Sequence, residues 1–312
     1  MRVGGHAEWL LEPASPAELT EAVCAVRERG LEPRLLGGGA NLLIAEGELP
    51  GVVIATDRMR RVFRPDPEDT ESDDEGLAAG EGLPVRPGAA ERDFWNDGGE
   101  VDARLVAWCG ASMPGLARVA QELGWTGFEG LVGVPGNLGG GVAMNAGGKW
   151  GCVWDAVEML RVIEPDGTES DLQRDECTPS YRNGGLDGRI VIGAVLRLAP
   201  ESVASVKDRT RTFLLEKKAS QPVTEHSSGC IFKNPDPERS EGRSAGALIE
   251  HCGGKGLTRG DAIVSPVHAN YIVNRGKASA ADVFTLIEDV RDLVAQKTGI
   301  RLEREVQVWG KP

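Results

Sequence analysis

Three side chains in this sequence are suited to acid–base chemistry and anion binding: the guanidinium of Arg182, the thiol of Cys230 and the carboxyl group of Glu305. Arg182 lies in the run Ser180–Asn183, and its planar fork can hold a carboxylate through two hydrogen bonds. Cys230 lies in the run Ser228–Pro235, and Glu305 falls within a predicted C-terminal strand. Taken singly, each has an ordinary alternative: a surface arginine, a buried structural cysteine and a solvated carboxylate.

Glycine is concentrated in two places that could close on a ligand. The chain holds 42 glycines in 312 residues, about 13% against a usual level of about 7%. Gly37-Gly38-Gly39 follows a predicted strand, and bare backbone of this kind can bind phosphate, although the Lys-Ser/Thr of a P-loop is missing. Residues 133–151 hold eight glycines in nineteen residues, interleaved with Val and Leu, so they are not a solvated linker. Buried backbone needs partners for its polar groups, and two such segments predict a dinucleotide lying between them. A glycine turn and a structural crossover are the alternatives.

Hydrophobic spacing and capping residues predict the elements that would position these groups. Ser15 and Ser279 are predicted N-caps, and Gly30 and Gly299 are the matching stop signals. The predicted helices cover residues 15–30, 112–123, 202–220 and 279–299, and the predicted strands cover 34–36, 52–55, 156–163, 190–198 and 300–309.

The length predicts about two domains. We place one at residues 1–200 and the other at 201–312, and the last strand, about 300–309, could return to the first. An acidic insertion at about 65–100 interrupts the first domain, with seven acidic residues among residues 66–75. Its like charges repel, so it is predicted to be a solvated surface loop, with a functional acidic segment as the alternative.

Composition excludes several classes of protein. With 48 acidic and 35 basic residues the net charge is −13, which argues against a protein that tracks a nucleic-acid backbone. A local basic pocket for a phosphorylated ligand stays open. No apolar window is long enough for a membrane span, and no signal peptide is recognisable. The six cysteines form no C-x-x-C pair and only 4 histidines are present, so no metal site is expected. We expect free thiols in a reducing, cytoplasmic compartment.

Seven short motifs occur in a familiar order. They are GGGANLLIA (Gly37–Ala45), the run Gly133–Gly147, SYRN (Ser180–Asn183), SGCIFKNP (Ser228–Pro235), AGALIE (Ala245–Glu250), SPVHAN (Ser265–Asn270) and LEREV (Leu302–Val306). In this order they resemble the bacterial UDP-N-acetylenolpyruvoylglucosamine reductases, also called UDP-N-acetylmuramate dehydrogenases. The resemblance covers almost the whole chain, from Gly4 to Gly310.

The resemblance implies an α+β fold: an FAD-binding region of the vanillyl-alcohol-oxidase type, followed by a smaller α+β substrate-binding domain. It implies that NADPH reduces FAD, which then reduces the enolpyruvyl group of a UDP-sugar to UDP-N-acetylmuramate for peptidoglycan synthesis. It further implies a monomer that binds neither nucleic acid nor membrane. Matched motif by motif, the catalytic residues are Arg182, Cys230 and Glu305. The cofactor-binding residues are Gly37, Gly38, Gly39, Asn41, Leu42, Gly133, Pro135, Gly136, Gly139, Gly140, Asn145 and Gly147. The substrate-binding residues are Tyr181, Lys233, Asn234, His268 and Asn270.

The sequence departs from the family pattern at two functional places. The family's usual proton donor is a serine, and Cys230 stands at that position, with Ser228 as a rival donor. An ordinary thiol, with a pKa of about 8.5, is mostly protonated near pH 7 and is a stronger acid than a hydroxyl. Asn183-Gly184 replaces the more usual Asp-Ser after Tyr-Arg. Two other functions therefore stay open: a flavin-dependent oxidoreductase of the same fold acting on another sugar or alcohol, and a non-catalytic flavin- or nucleotide-sugar-binding relative.

Overall fold

The computed structural model describes residues 1–65, 83–84 and 102–310. The chain divides into two compact units. Unit 1 consists of Met1–Trp9, Gly39–Gly51 and Glu216–Pro312, and unit 2 consists of Leu10–Gly38 and Val52–Leu215. The described residues combine helices with mostly antiparallel sheets, which confirms the predicted α+β class.

The elements of both units are as follows. The helices are α1 (Pro16–Glu28), α2 (Met113–Leu123), α3 (Leu138–Ala143), α4 (Val203–Ser220), α5 (Pro237–Ser240), α6 (Ala245–His251) and α7 (Ala280–Thr298). The strands in the first half of the chain are β1 (His6–Leu11), β2 (Arg34–Leu36), β3 (Leu42–Ile44), β4 (Glu48–Ala55), β5 (Val62–Arg64), β6 (Leu83–Pro84), β7 (Arg104–Trp108), β8 (Trp125–Thr126), β9 (Gly147–Gly148) and β10 (Gly151–Cys152). The later strands are β11 (Val157–Ile163), β12 (Glu169–Gln173), β13 (Ile190–Arg197), β14 (Ala199–Pro200), β15 (His226–Cys230), β16 (Thr258–Arg259), β17 (Ala262–Val264), β18 (Tyr271–Asn274) and β19 (Gln307–Trp309).

The predicted helix boundaries are confirmed by their caps. The hydroxyls of Ser15, Ser112 and Ser279 each accept a hydrogen bond from the backbone N–H three residues on, which satisfies a donor of the first turn. The predicted stop residues Gly30 and Gly299, which follow helices α1 and α7, have φ of 70° and 74°. Those left-handed conformations favour glycine, so the stop signals act through backbone sterics.

The largest sheet belongs to unit 2 and has the antiparallel order β12-β11-β13-β7-β5-β6. Six successive residues of the β13 strand, Val191–Leu196, are buried. Burial without alternation means that this strand is covered on both faces. Strand β2 pairs in parallel with the Val53–Ala55 part of β4, and the first glycine run begins directly after it.

Unit 1 contains the sheet β15-β18-β17-β16, again antiparallel throughout. Helix α7 packs against β16 and β17, and its core-facing side chains are almost fully buried. These side chains are Val283, Leu286, Ile287, Val290 and Val294. Their spacing is the helical period read from the sequence, so the apolar stripe is the packing face.

The predicted C-terminal strand is wrong in length. The structure has a strand only at β19, which pairs in parallel with β3. Upstream, Arg304 forms an isolated bridge with Phe232, and the successive residues Glu305 and Val306 are both buried. Two neighbouring residues cannot share one face of a regular strand, so the alternation expected from the sequence fails here.

The two compact units do not coincide with the two domains that were predicted to meet at residue 200. The division falls between Leu215 and Glu216, and residues 39–51 join the C-terminal part. The reason is packing: β3 pairs with β19, and Leu43 lies in the core of unit 1. Most of the predicted acidic insertion, about 65–100, lies outside the described residues. Within the described part of the chain, no helix is both long and apolar enough to cross a membrane.

Candidate functional site

The first and second glycine runs approach each other in unit 2. A Cβ atom built on Gly38 would lie 3.0 Å from the Cα atom of Gly136 and 3.1 Å from Oδ1 of Asn137. One built on Gly37 would lie 3.4 Å from the Cβ atom of Asn137. Backbone therefore meets backbone at this point with no room for side chains. The two segments, 100 residues apart in sequence, form one surface, as expected if they act together.

The second glycine run, residues 133–151, is more regular than predicted, because it contains helix α3. Its backbone is largely satisfied by its own chain: Leu138 N donates to Ala111 O at 2.8 Å, and Gly139 N donates to Cys109 O at 2.9 Å. A Cβ atom at Gly139 would lie 2.9 Å from that of Cys109. The expectation that a ligand must satisfy this whole backbone is therefore too strong, since intramolecular packing explains part of the glycine content.

Other glycines of this run border open space and fit a bound flavin nucleotide. Gly140 and Gly148 are exposed, and a Cβ atom at either would have no atom of the described residues within 4 Å. Packing therefore does not require glycine there, whereas a ligand that lies against bare backbone does. Like Gly37, Gly38 and Gly136, these positions carry no side chain, and bare backbone of this kind can bind a dinucleotide.

Arg182 lies in a tight turn in the same unit. Ser180 and Asn183 exchange two backbone hydrogen bonds, of 2.8 and 3.1 Å, so Tyr181 and Arg182 form the tip. The Arg182 guanidinium lies 5.0 Å from the centre of the Tyr181 ring. Tyr181 is 53% exposed and Arg182 is half-buried, so both residues of the tip can reach a ligand.

Cys230 and Glu305 are brought together in unit 1 by adjacent backbone. Glu305 N donates to the carbonyl of Ile231, the residue after Cys230, at 2.8 Å. A bulge in β15 precedes Cys230, where Gly229 has a φ of 75°, and bulges of this kind redirect the following side chain. Cys230 is half-buried, and the Glu305 residue is 8% exposed. The default expectation of a solvated carboxylate at Glu305 is therefore wrong.

Ser228, the rival proton donor, has a structural role. Its hydroxyl donates to the carbonyl of Leu42 at 3.2 Å, and the residue is 2% exposed. Asn41 is engaged in a similar way, because its Nδ2 donates to the Glu305 carbonyl at 3.2 Å. Both contacts attach the Asn41–Leu42 segment to the chain segments that carry Cys230 and Glu305, whereas binding of FAD by Asn41 and Leu42 stays a prediction.

The side-chain amide of Asn270 binds the backbone of Phe232, two residues after Cys230. Its Oδ1 accepts from Phe232 N at 2.9 Å and its Nδ2 donates to Phe232 O at 2.7 Å. The amide thus acts like a strand neighbour for Phe232, and Asn270 is only 3% exposed. Ile231 N also donates to Asn270 O at 2.9 Å. Sequence reasoning proposed Asn270 as a substrate ligand and missed this clamp, because the motif shows the residue type but not its partner.

The remaining predicted substrate residues surround this segment in unit 1. Lys233 forms a 2.6 Å ion pair with Glu303, and Asn234 Oδ1 accepts from the backbone N–H of Ala245 at the start of α6. His268 Nδ1 accepts from Asn270 N at 3.2 Å. Burial, helped by the charge of Lys255, lowers the pKa of His268, so its imidazole is neutral near pH 7. Their contacts with substrate stay predictions.

A partly buried ion pair lies shortly before the second glycine run in the chain and was not predicted. Arg209 Nη2 on α4 lies 2.7 Å from Oε1 of Glu129, whose side chain is 6% exposed. Burial raises the pKa of a carboxyl group, but hydrogen bonds from Arg209, Thr126 and the Gly127 backbone outweigh it and lower the pKa of Glu129. The two residues are 80 positions apart, so only the folded chain reveals the pair.

Comparison with known proteins agrees with this geometry. A family model described as the C-terminal domain of UDP-N-acetylenolpyruvoylglucosamine reductase matches residues 221–309. A second, described as an FAD binding domain, matches residues 92–173. The UDP-N-acetylenolpyruvoylglucosamine reductase of Moorella thermoacetica is 35% identical over 312 residues, covering 99% of this chain and 89% of that protein. The one from Nostoc punctiforme is 37% identical, covering 99% and 82%.

A solved structure extends the agreement to three dimensions. The crystal structure of the UDP-N-acetylenolpyruvylglucosamine reductase from Thermus caldophilus has a TM-score of 0.74 and 32% identity, covering 99% of this chain and 94% of that one. The comparisons confirm the resemblance read from the motifs, the FAD-binding region of the vanillyl-alcohol-oxidase type, and FAD with NADPH as cofactors. The chain belongs to the UDP-N-acetylenolpyruvoylglucosamine reductase family of flavin-dependent oxidoreductases.

Proposed function

We propose that this protein uses NADPH and FAD to reduce the enolpyruvyl group of UDP-N-acetylglucosamine enolpyruvate, giving UDP-N-acetylmuramate for peptidoglycan synthesis. The observation that carries the proposal is the hydrogen bond between Glu305 N and Ile231 O, at 2.8 Å. It joins the segment that bears the thiol of Cys230 to the segment that bears the buried carboxyl group of Glu305. A reduction that adds a proton to carbon needs a positioned acid, and a nearby carboxyl group can stabilise the enol that forms before the proton is added.

The reaction adds one hydride and one proton across the alkene. FAD, when bound, supplies the hydride chemistry by accepting a hydride from NADPH and passing one to the terminal alkene carbon. The other alkene carbon, next to the substrate carboxylate, then gains carbanion or enolate character. Arg182 binds that carboxylate through its planar fork and stabilises the developing negative charge.

The proton comes from the thiol of Cys230. The S–H bond breaks as a new C–H bond forms at the carbon beside the carboxylate, and the thiolate is later reprotonated from solvent. Glu305 holds a proton against the enolic oxygen and so favours the enol over the free carbanion. A positioned acid of this type accelerates a proton transfer by roughly 10²- to 10⁴-fold.

The residues that would hold FAD are the glycines that border open space or meet backbone to backbone. In unit 2 these are Gly37, Gly38, Gly136 and Gly140, supported by the contacts already described. Gly139 and Gly147 also lie against their own chain, since a Cβ atom at Gly147 would lie 2.5 Å from the Cα atom of Cys152, and their contacts with FAD stay predictions. Glycine at both positions allows the close packing that holds the other residues of the second glycine run in place.

The protein is further proposed to act as a monomer in the cytoplasm, where its nucleotide-sugar substrate and NADPH are made. Its six cysteines are free thiols, in keeping with a reducing compartment. Light scattering of the purified protein tests the monomer, and a mass near twice 33.2 kDa would contradict it. Fractionation of the source cells tests the location.

The function is tested by separating the two half-reactions without oxygen. We expect NADPH to remove the flavin absorbance of the purified holoenzyme, and the enolpyruvyl UDP-sugar to restore it, with UDP-N-acetylmuramate as the product by mass spectrometry. A flavin that is reoxidised only by molecular oxygen would contradict the proposal and favour an oxidase. A flavin that NADPH leaves oxidised would favour a non-catalytic relative.

A further inference from the structure

Two hydrogen bonds attach the turn that carries Arg182 to the second glycine run. Asn145 Nδ2 donates to Ser180 O at 3.0 Å, and Gly184 N donates to Ala143 O at 2.8 Å. The first bond holds the residue that opens the turn, and the second holds the chain directly after it. The position of the Arg182 guanidinium relative to the glycine run is therefore set at both ends of the turn.

The approach at the second anchor is close. A Cβ atom built on Gly184 would lie 2.4 Å from the carbonyl oxygen of Val142, which also accepts from Trp154 Nε1 at 2.9 Å. Any other residue at position 184 would push the turn away from α3. Glycine is therefore needed at this position for the turn to lie this close to α3.

Asn145 and Arg182 share an uncommon backbone conformation. Their φ values are +43° and +58°, among few positive values at non-glycine residues in the described chain. Asparagine tolerates this region better than most residues, and such conformations persist where the surrounding structure imposes them. Oδ1 of Asn145 is also buried and accepts no hydrogen bond from the residues described here. Among the described residues, the hydrogen bond that the Asn145 side chain makes is the one from Nδ2 to Ser180 O.

We propose that Asn145 is a positioning residue for Arg182: its amide holds the Ser180–Asn183 turn so that the guanidinium meets the substrate carboxylate beside the flavin. The inference rests on the proposed function, in which Arg182 binds that carboxylate. It assigns Asn145 a task distinct from cofactor binding. Loss of the Nδ2 donor should then slow the substrate half-reaction and leave the NADPH half-reaction in place.

The main test is Asn145→Asp, which keeps size and φ tolerance but turns the donor into an acceptor that faces Ser180 O. The rate of flavin reoxidation by saturating enolpyruvyl UDP-sugar, measured without oxygen, should fall roughly 10- to 100-fold, as for a small misplacement of a catalytic group. The rate of flavin reduction by NADPH should be unchanged, and FAD affinity should change less than the reoxidation rate. Asn145→Gly, which suits a φ of +43° and adds no charge, should show the same pattern.

Asn183→Asp is the matched control, because it makes the same chemical change one residue from Arg182. Asn183 is exposed and uses only Oδ1, which accepts from Gly185 N at 2.9 Å, so an aspartate keeps the bond. We expect wild-type reoxidation rates from it. In an Arg182→Ala background, Asn145→Asp should add no further loss, since residues that act through one another are not additive.

The outcomes separate this inference from the function on which it rests. If the wild-type flavin is not reoxidised by the enolpyruvyl substrate, the proposed function fails and the inference fails with it. If the wild type reacts and both Asn145 variants keep its reoxidation rate, only the inference is overturned. Weakened FAD binding with an unchanged reoxidation rate at saturating FAD would assign Asn145 to the cofactor alone.

Discussion

The amide of Asn270 should contribute more to stability than any other side-chain hydrogen-bonding group around Cys230. Asn270→Ala removes both hydrogen bonds to the Phe232 backbone, the one from its N–H at 2.9 Å and the one to its C=O at 2.7 Å. Phe232 is 1% exposed, so both groups would be left buried. Each buried group left unsatisfied costs about 1–3 kcal/mol, and water that enters the vacated space recovers part of this. We expect the free energy of unfolding to fall by about 2–4 kcal/mol.

The assay is urea denaturation of the holoenzyme at pH 7, followed by far-ultraviolet circular dichroism. Asn234→Ala is the matched control, because its Oδ1 accepts from the N–H of Ala245 at 3.0 Å and the residue is exposed. Loss of a helix-capping bond of this kind costs about 1 kcal/mol. Both variants remove a side-chain amide. The difference between their losses in the free energy of unfolding therefore measures how much more the buried contacts with Phe232 contribute than the exposed contact with Ala245.

A particular result would refute this reasoning. If Asn270→Ala unfolds within about 0.5 kcal/mol of the wild type, as an ordinary surface change does, while the KM for the UDP-sugar rises, Asn270 is a substrate ligand and not a clamp. If stability falls as expected and the KM also rises, the clamp positions the neighbouring Cys230 and Lys233 segment. The second result supports the structural assignment, because substrate contact alone does not change the unfolding of free enzyme.

Three further predictions concern other groups. Cys230→Ala should keep flavin reduction by NADPH but slow reoxidation by substrate roughly 10²- to 10⁴-fold, and Cys230→Ser should recover part of the rate; an unchanged alanine variant in anaerobic stopped-flow would remove Cys230 as the proton donor. Arg209→Met should lower the urea stability by about 1–2 kcal/mol, because the buried Glu129 carboxylate loses its cation and keeps only the hydrogen bonds from Thr126 and the Gly127 backbone; Glu129→Gln should largely abolish that effect, and full additivity would contradict the pairing. Burial lowers the pKa of Lys217 to about 8, so the unfolded chain binds more protons above that pH and stability should rise between pH 8 and the ordinary value of 10.5. Lys217→Met should raise stability at pH 7 by about 2 kcal/mol and flatten this rise in pH-dependent urea titrations; a stability that falls over this range would refute the sign.

Local elements of the fold could be predicted well, because their causes are local. Ser15 and Ser279 bond to N–H groups three residues away, and Gly299 ends α7 through its own φ. The C-terminal strand was mispredicted for the opposite reason. The backbone–backbone hydrogen bonds of residues 303–306 join them to Ile231 and Lys233, about 70 residues earlier in the chain, so no local pattern could reveal that Glu305 is buried.

The motif order in the amino-acid chain was enough to identify the family, the flavin cofactor and the three candidate catalytic residues. Residue types and short spacings carry that information, because the chemistry demands a guanidinium, an acid and bare backbone. Only the tertiary structure shows which contacts hold these groups in place. Asn145 reaches Ser180 across 35 positions, and Arg209 reaches Glu129 across 80. The amide of Asn270 bonds to the backbone of Phe232, 38 positions away, whereas its contact with substrate stays a prediction. Hydrogen bonds and packing act over a few ångströms, and sequence separation does not report which residues come that close.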